Sequence, residues 1–197
     1  MAARSFDSVD EGIQRVHQLP GPPARREPPL RHSLRPRLAA ITPCIAEAVR
    51  YAGGWLFDQA MIGWDVSVLT TDDADARPLQ ILGVRTVALE TVLSRPVRAS
   101  CLQAIAVHAD LYGTDPRVRR FVREAVDAGQ TDVRLWGEPP SAALAPASAP
   151  LRHQLSVAAR AFKAQALAAA AVPACPCDII EVFRRDAPAR PRLTPAR

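Results

Sequence analysis

Apolar residues recur at helical spacing in the first strongly patterned stretch of the chain. They step by three or four positions through Ile45, Ala48, Val49, Ala52, Leu56 and Ala60. This spacing predicts a helix with one buried face. Thr42 can cap the helix, Pro43 suits its first turn, and Gly63 ends it.

Gly53 and Gly54 form the only glycine pair in the chain, and they fall inside this predicted helix. Each glycine destabilises a helix by about 1 kcal/mol relative to alanine. The pair therefore predicts close packing of the helix against a neighbouring element. The alternative is a helix break, after which the half that begins at Trp55 aims free amides at a ligand.

Three stretches have the composition of strands, namely residues 64–69, 84–89 and 131–136, which are rich in β-branched and apolar side chains. A short helix over residues 77–82 connects the first two. Two strands joined by a helical crossover are most simply parallel. The pattern therefore predicts an α/β fold with a small, mostly parallel three-stranded sheet flanked by helices.

Residues 97–112 fit either a helix or a strand, because Ile105 and Val107 alternate while other apolar residues step helically. The length of the stretch favours a helix. Asp115 followed by Pro116 is a typical helix start. We expect that next helix to end at Gly129.

Composition divides the chain further. Residues 20–37 hold six prolines and five arginines and cannot bury enough apolar surface to order themselves. The predicted divisions are a disordered segment (1–38), a compact α/β domain (39–136), a linker rich in proline and alanine (137–150), a helical arm (151–183) and a disordered tail (184–197). A short strand over residues 178–183, at a sheet edge, is an alternative within the arm.

The net charge of +5 invites a nucleic-acid interpretation. Basic residues outnumber acidic ones by eight to five in residues 1–50 and by eight to three in residues 151–197, but acidic residues prevail by twelve to nine in between. The charge therefore lies at the ends, and no basic central groove is indicated. On a helical arm, Arg152, Arg160 and Lys163 share one face, which we interpret as a contact for phosphate or for a partner.

The best candidate for a ligand site is the run Thr70, Thr71, Asp72 and Asp73, at the end of the first predicted strand. Ligands collect outside the carboxyl ends of parallel strands, and an acidic side chain there can accept hydrogen bonds from hydroxyl groups. The alternative is an acidic turn in which Asp72, Asp73 or Asp75 caps the next helix.

Motifs with a specific chemical meaning are missing from the sequence. It contains no Rossmann, P-loop or Gly-x-Ser-x-Gly pattern. His108 is interpreted as a core histidine on a helix. The spacing of Cys175 and Cys177 is too tight for the usual zinc knuckle. No catalytic residue, metal site or cofactor is therefore predicted.

These observations favour a cytoplasmic α/β binding or regulatory module without catalytic machinery, which acts through a protein partner or through self-association of its helical arm. The first alternative is a binding protein or enzyme for a nucleotide-like small ligand, with its site at the carboxyl end of the first strand. The second alternative is nucleic-acid association through the basic arm. No apolar run is long enough for a membrane helix, and no export signal is evident.

Overall fold

Seven strands of one mixed sheet organise the protein. The computed structural model describes residues 35–72, 74–94, 102–128, 131–137, 150–173 and 179–185. The strands are β1 (Arg37–Thr42), β2 (Asp65–Thr70), β3 (Arg85–Ala88), β4 (Ala104–His108), β5 (Asp132–Trp136), β6 (Pro150–Gln154) and β7 (Ile180–Arg185). Their order across the sheet is β3-β2-β1-β4-β5-β7-β6.

The first five strands in this order are parallel, whereas β7 pairs antiparallel with both β5 and β6. The prediction of an α/β fold is confirmed, and so is the parallel pairing of residues 65–70 with residues 85–88. The prediction of three strands is wrong. Four further strands belong to the same sheet.

Helices cover both faces of the sheet. They are α1 (Ile45–Met61), α2 (Arg77–Ile81), α3 (Leu89–Leu93), α4 (Ala109–Thr114), α5 (Pro116–Ala128) and α6 (Val157–Ala169). One core cluster joins α1, α2 and α6 to the sheet, and a second joins α3 and α5 to its other face. None of the described helices is long and apolar enough to cross a membrane.

Strand β1 was missed because it lies in the centre of the sheet. Leu38 and Ala40 belong to the core on the α1 face, while Ala39 and Ile41 belong to the core on the other face. A strand that is buried on both faces has no alternation of polar and apolar residues. Its first two residues were also assigned to a disordered segment that extended to residue 38.

The helix predicted over residues 97–112 is wrong within the described range. Residues 104–108 form β4 instead, and a short helix, α4, begins only at Ala109. All five β4 residues are buried between β1 and β5. Tertiary burial on both faces thus overrides the helical spacing of the apolar positions.

The predicted arm is part of the same sheet. Residues 150–154 form β6 rather than the start of a helix, and α6 is capped by Ser156, which accepts a hydrogen bond from the amide of Ala159. The short strand predicted over residues 178–183 is confirmed by β7, but its predicted place at a sheet edge is wrong, because β7 lies between β5 and β6. Ala159, Ala166 and Leu167 of α6 are buried in this protein's own core. Phe162 stacks on Phe57 of α1 but remains 45% exposed, so the core covers only part of the apolar surface of α6.

The described residues form a single compact unit. The predicted disorder of residues 1–34, 138–149 and 186–197 lies outside the described residues. Arg37 and Arg184 fall in the segments that were predicted to be disordered, but the structure places both in strands. Arg37 is the first residue of β1, and Arg184 is the fifth residue of β7.

Candidate functional site

The strand order reverses between β1 and β4, since the chain proceeds from β1 to β2 and β3 on one side and then returns to β4 and β5 on the other. In open α/β sheets ligands bind at the carboxyl ends of the strands, at such a switch point. Here those ends carry Thr42, Thr70 and His108. Helix α1 begins directly above them, at Ile45.

Asp72 ties the loop after β2 to the start of α1. Its Oδ2 accepts a hydrogen bond from the amide of Ile45 at 3.0 Å, and its Oδ1 accepts one from the amide of Ala74 at 3.0 Å. The side chain of Cys44 lies near enough to this carboxylate to make a small contribution to lowering its pKa. The amide bonds from Ile45 and Ala74 hold the pKa of Asp72 below its ordinary value, so the carboxylate is ionised at neutral pH.

The other predicted residues of this turn have different positions. Thr70 is buried and its hydroxyl accepts a hydrogen bond from the amide of Asp72 at 3.0 Å. Thr71 is exposed and its hydroxyl donates to the carbonyl oxygen of Pro43 at 3.4 Å. Asp73 lies outside the described residues. The turn therefore lies against the beginning of α1, and Asp75, not Asp72, accepts from the first amide of α2, that of Arg77.

The first turn of α1 presents backbone donors at this place. The earliest backbone bond of the helix runs from the amide of Ala48 to the carbonyl oxygen of Cys44. The three preceding amides therefore lack intrahelical partners, as expected at a helix start. Asp72 takes the amide of Ile45, which leaves those of Ala46 and Glu47. The positive end of the helix dipole favours an anion here.

His108 and Glu47 form a second polar pair beside the helix start. Nε2 of His108 lies 3.2 Å from Oε2 of Glu47. His108 is 5% exposed, and its Nδ1 has no hydrogen-bond partner among the described atoms. Its ring packs edge-on against Trp136 at 5.1 Å between centroids, and Gly137 comes so close that a Cβ would lie 2.6 Å from Nε2.

Sequence reasoning missed this pair. His108 was interpreted as a core residue on a helix, whereas it is the last residue of β4, and Glu47 was not singled out. The sequence could have indicated this site only if residues 104–108 had been recognised as a strand, because His108 would then have been placed at a strand end.

The basic stripe predicted on the arm does not form. Arg152 lies on β6, Arg160 is exposed on α6, and Lys163 is buried in an ion pair with Glu181 at 2.7 Å. The pattern failed because residue 152 is not helical. A shared phosphate-contacting face of these three side chains is therefore not present.

Glu181 reveals the structural role of the glycine pair. Its carboxylate accepts hydrogen bonds from the amides of Gly54 at 2.9 Å and Trp55 at 2.8 Å. A Cβ on Gly54 would overlap the side chain of Leu155. The expectation of close packing is thus confirmed, and the helix amides are directed at this protein's own carboxylate rather than at a ligand.

The potential metal-ligating side chains of the described residues do not cluster. No group of three or more His, Cys, Asp or Glu side chains lies close enough together there to hold a metal ion. Cys44 is partly exposed and is not in a disulfide. The cysteine pair Cys175 and Cys177 lies outside the described residues.

Two cavities in the described part of the chain lie near these strands. One, of about 570 Å³, is lined by residues of β1, β2, β3 and α3. It contains none of the strand-end residues described above. The second, about 350 Å³, lies between β5, β7, α1 and α6, and includes Trp136 and Gly137 beside His108.

The comparisons with known proteins identify the fold. No protein-family model matches the chain, and no curated protein matches its sequence. The chain is similar to a solved deacetylase of the teicoplanin biosynthesis pathway, in complex with teicoplanin, at 16% identity over 76% of this chain and 97% of that chain, with a TM-score of 0.51. It is also similar to the deacetylase of the A40926 pseudoaglycone, at 20% identity over 68% of this chain and 81% of that chain, with a TM-score of 0.47.

The first of these structures shows that the chain has the fold of a solved deacetylase. This finding contradicts the prediction of a binding or regulatory module without catalytic machinery, since the solved protein that has this fold is an enzyme. The predicted alternative, a small-ligand site or enzyme at a strand end, agrees better with this finding. Strand β2, the first strand predicted, is the second strand of the sheet along the chain.

Proposed function

We propose that the chain is an enzyme that hydrolyses an acyl group from a small ligand bound at the carboxyl ends of β1, β2 and β4. One observation carries the proposal: Cys44, the ionised carboxylate of Asp72 and the first-turn amides of α1 lie together at the carboxyl ends of β1 and β2, beside the switch point of the sheet. A nucleophile, a proton acceptor and donors for an oxyanion are the parts that acyl transfer requires.

The carbonyl oxygen of the acyl group would accept hydrogen bonds from the amides of Ala46 and Glu47. Negative charge develops on this oxygen when the carbonyl carbon becomes tetrahedral. Preorganised amides at a helix start stabilise that charge without reorganisation. The bond between Ile45 and Asp72 fixes the position of this turn relative to β2.

Cys44 is the proposed nucleophile, because the residue is partly exposed and its side chain lies beside the carboxylate of Asp72. As the sulfur attacks the carbonyl carbon, its proton passes through the Asp72 carboxylate to the leaving nitrogen or oxygen. The bond from the carbonyl carbon to that atom breaks, and a thioester remains. Water then hydrolyses the thioester and regenerates the thiol.

The fold supports the choice of acyl hydrolysis among the reactions that these groups can perform. The solved protein with which the chain shares its fold is a deacetylase in complex with teicoplanin. An acyl group carried on a small molecule is therefore the substrate class that we propose. Glu47 and His108 would line the other side of the same site.

The test is hydrolysis of p-nitrophenyl acetate, with intact-protein mass spectrometry of acid-quenched samples. We expect the wild type to release p-nitrophenolate and to carry one acetyl group on Cys44. The Cys44→Ala variant should lose the acetyl adduct and at least about 100-fold of the rate, and Asp72→Asn about 10- to 100-fold. Ser94→Ala, an exposed change at the end of α3, serves as the control.

Two results would overturn the proposal. One is a Cys44→Ala variant that hydrolyses the ester at the wild-type rate. The other is an acetyl group that maps to residues away from the strand ends, because an activated ester also acylates exposed nucleophiles.

A further inference from the structure

We propose that the 350 Å³ cavity between β5 and β7 binds the carboxylate of a small molecule that also carries a flat apolar group. The inference goes beyond the proposed function and does not depend on acyl chemistry at Cys44. We name this cavity the Arg50–Arg184 pocket, after the two cations in its wall. The pocket is also lined by Trp136, Gly137, Lys163 and Glu181.

The pocket exists because β5 and β7 pair over a short distance only. The antiparallel register joins Arg134 to Arg185 and Leu135 to Arg184, and among the described residues no pair extends it toward the end of β5. β7 instead continues alongside β6, where five residue pairs are formed. The last residues of β5 therefore face a gap, and the volume of that gap is within the range of small-molecule sites.

The charge of the wall favours an anion. Lys163 and Glu181 are both buried and are 2.7 Å apart, so they largely neutralise each other. Arg50 and Arg184 remain, and neither forms an ion pair with another described residue. A guanidinium group binds a carboxylate through two parallel hydrogen bonds. We therefore expect the guanidinium groups of Arg50 and Arg184, which line one cavity, to bind a carboxylate.

The remaining wall favours a flat apolar group next to that carboxylate. The rings of Tyr51 and Trp136 lie 6.5 Å apart, and Cζ of Arg50 lies 5.4 Å from the centroid of the Tyr51 ring. Nε1 of Trp136 is buried and has no hydrogen-bond partner among the described atoms.

The pocket adjoins the strand-end site. Gly137 lines the pocket and also packs against Nε2 of His108, whose other neighbour is Glu47. Arg50 and Tyr51 follow Glu47 by one turn of α1. A ligand in the Arg50–Arg184 pocket would therefore lie directly behind the pair of His108 and Glu47.

The experiment is a titration of ¹⁵N-labelled full-length protein with benzoate, an aromatic carboxylate, and with its neutral isostere benzamide. We follow the indole N–H resonance of Trp136, assigned from triple-resonance spectra. Benzoate is expected to shift this resonance saturably, whereas benzamide binds at least about 10-fold more weakly. The double variant Arg50→Gln/Arg184→Gln should weaken benzoate binding by a similar factor.

Arg120→Gln/Arg123→Gln is the matched control, because it removes two exposed arginines from α5, on the other side of the sheet. It should leave benzoate binding unchanged, and so should Cys44→Ala, which separates this inference from the proposed acyl chemistry. The inference is overturned by equal affinity for benzoate and benzamide, by benzoate binding that survives the loss of Arg50 and Arg184 in a variant with a native spectrum, or by no saturable shift at Trp136.

Discussion

The carboxylate of Asp72 accepts a hydrogen bond from the backbone amide of Ile45, which lies 27 residues earlier in the chain, at 3.0 Å. The residue at the N-cap of α1, Cys44, makes no side-chain cap of its own. A side chain from the loop after β2 thus caps the helix that follows β1. The same contact joins two strand ends and orients the amides on which the proposed function relies.

Replacement of Asp72 by Asn should destabilise the protein by about 0.3 to 1 kcal/mol at pH 7, the usual size of the interaction of a negative charge with a helix start. The pKa of Asp72 is lowered in the folded state, so its contribution is fully present above the unfolded pKa of about 4 and is lost as the pH falls through the folded value. Urea unfolding between pH 7 and pH 2.5 should therefore show a shallower acid loss of stability for the variant.

The control for this measurement is Asp127→Asn, an exposed change on α5. Its unfolding free energy should follow that of the wild type throughout. Equal acid sensitivity of wild type and Asp72→Asn would contradict the role given to Asp72.

Substitution of the two adjacent glycines of α1 by alanine should affect the stability of the protein differently at the two positions. A Cβ at Gly54 overlaps Leu155, whereas a Cβ at Gly53 lies 3.3 Å from Cδ1 of Leu82, a flexible side chain. We expect Gly54→Ala to destabilise the fold by about 1 to 2 kcal/mol through overpacking. Gly53→Ala should remain within about 0.5 kcal/mol of the wild type or exceed it, because alanine favours the helix.

Thermal and chemical unfolding of both variants provides the comparison. In a Leu155→Ala background the overlap is gone, so the added change Gly54→Ala should cost little. Similar destabilisation by Gly54→Ala in both backgrounds would show that Leu155 is not the obstacle.

Lys163 and Glu181 should be strongly coupled. Burial raises the pKa of Glu181, and the charge of Lys163 together with the amides of Trp55 and Gly54 opposes this rise. Removal of the lysine alone, in Lys163→Met, leaves a buried carboxylate and should destabilise the protein by about 3 to 5 kcal/mol.

The double variant Lys163→Met/Glu181→Gln tests the cause. Gln can still accept from one amide and carries no charge, so this variant should be more stable than Lys163→Met alone in a double-mutant cycle. Additive losses would mean that the two charges stabilise the fold independently.

Ser156 should contribute stability through two contacts at once. Its hydroxyl donates to Asp58 at 2.6 Å and accepts from the amide of Ala159 at 3.0 Å, which joins α1 to the start of α6. Burial raises the pKa of Asp58, but hydrogen bonds from Ser156 and His153 outweigh it and leave the pKa lowered. Ser156→Ala should therefore cost about 1 kcal/mol at pH 7.

This loss should shrink as the pH falls from about 4 through the lowered folded pKa of Asp58, below which Asp58 is protonated in both proteins. Ser94→Ala, at the end of α3, is the matched control and should unfold like the wild type. If the loss of stability does not depend on pH, the whole effect of Ser156 comes from its cap of α6 and not from its hydrogen bond to Asp58.

Local signals in the sequence predicted those elements that have a strong pattern of their own. The amphipathic spacing of α1 and α5, the Asp115–Pro116 helix start and the β-branched run of β2 all appear in the structure as expected. The α/β class follows from their alternation. The turn that contains Asp72 was also placed correctly, at a strand end.

Tertiary structure alone decided the remainder. β1 and β4 are buried on both faces and lack the alternation that reveals a strand, and β6 is a strand only because β7 pairs with it. The spacing of residues along the chain could not predict the surroundings of His108 or of Lys163. His108 contacts Glu47, which is distant in sequence, and Lys163 contacts Glu181, which lies on another element. The local pattern of apolar residues indicates which side chains of one element are buried. A functional site depends in addition on which elements lie next to one another in the sheet, and only the tertiary structure determines that.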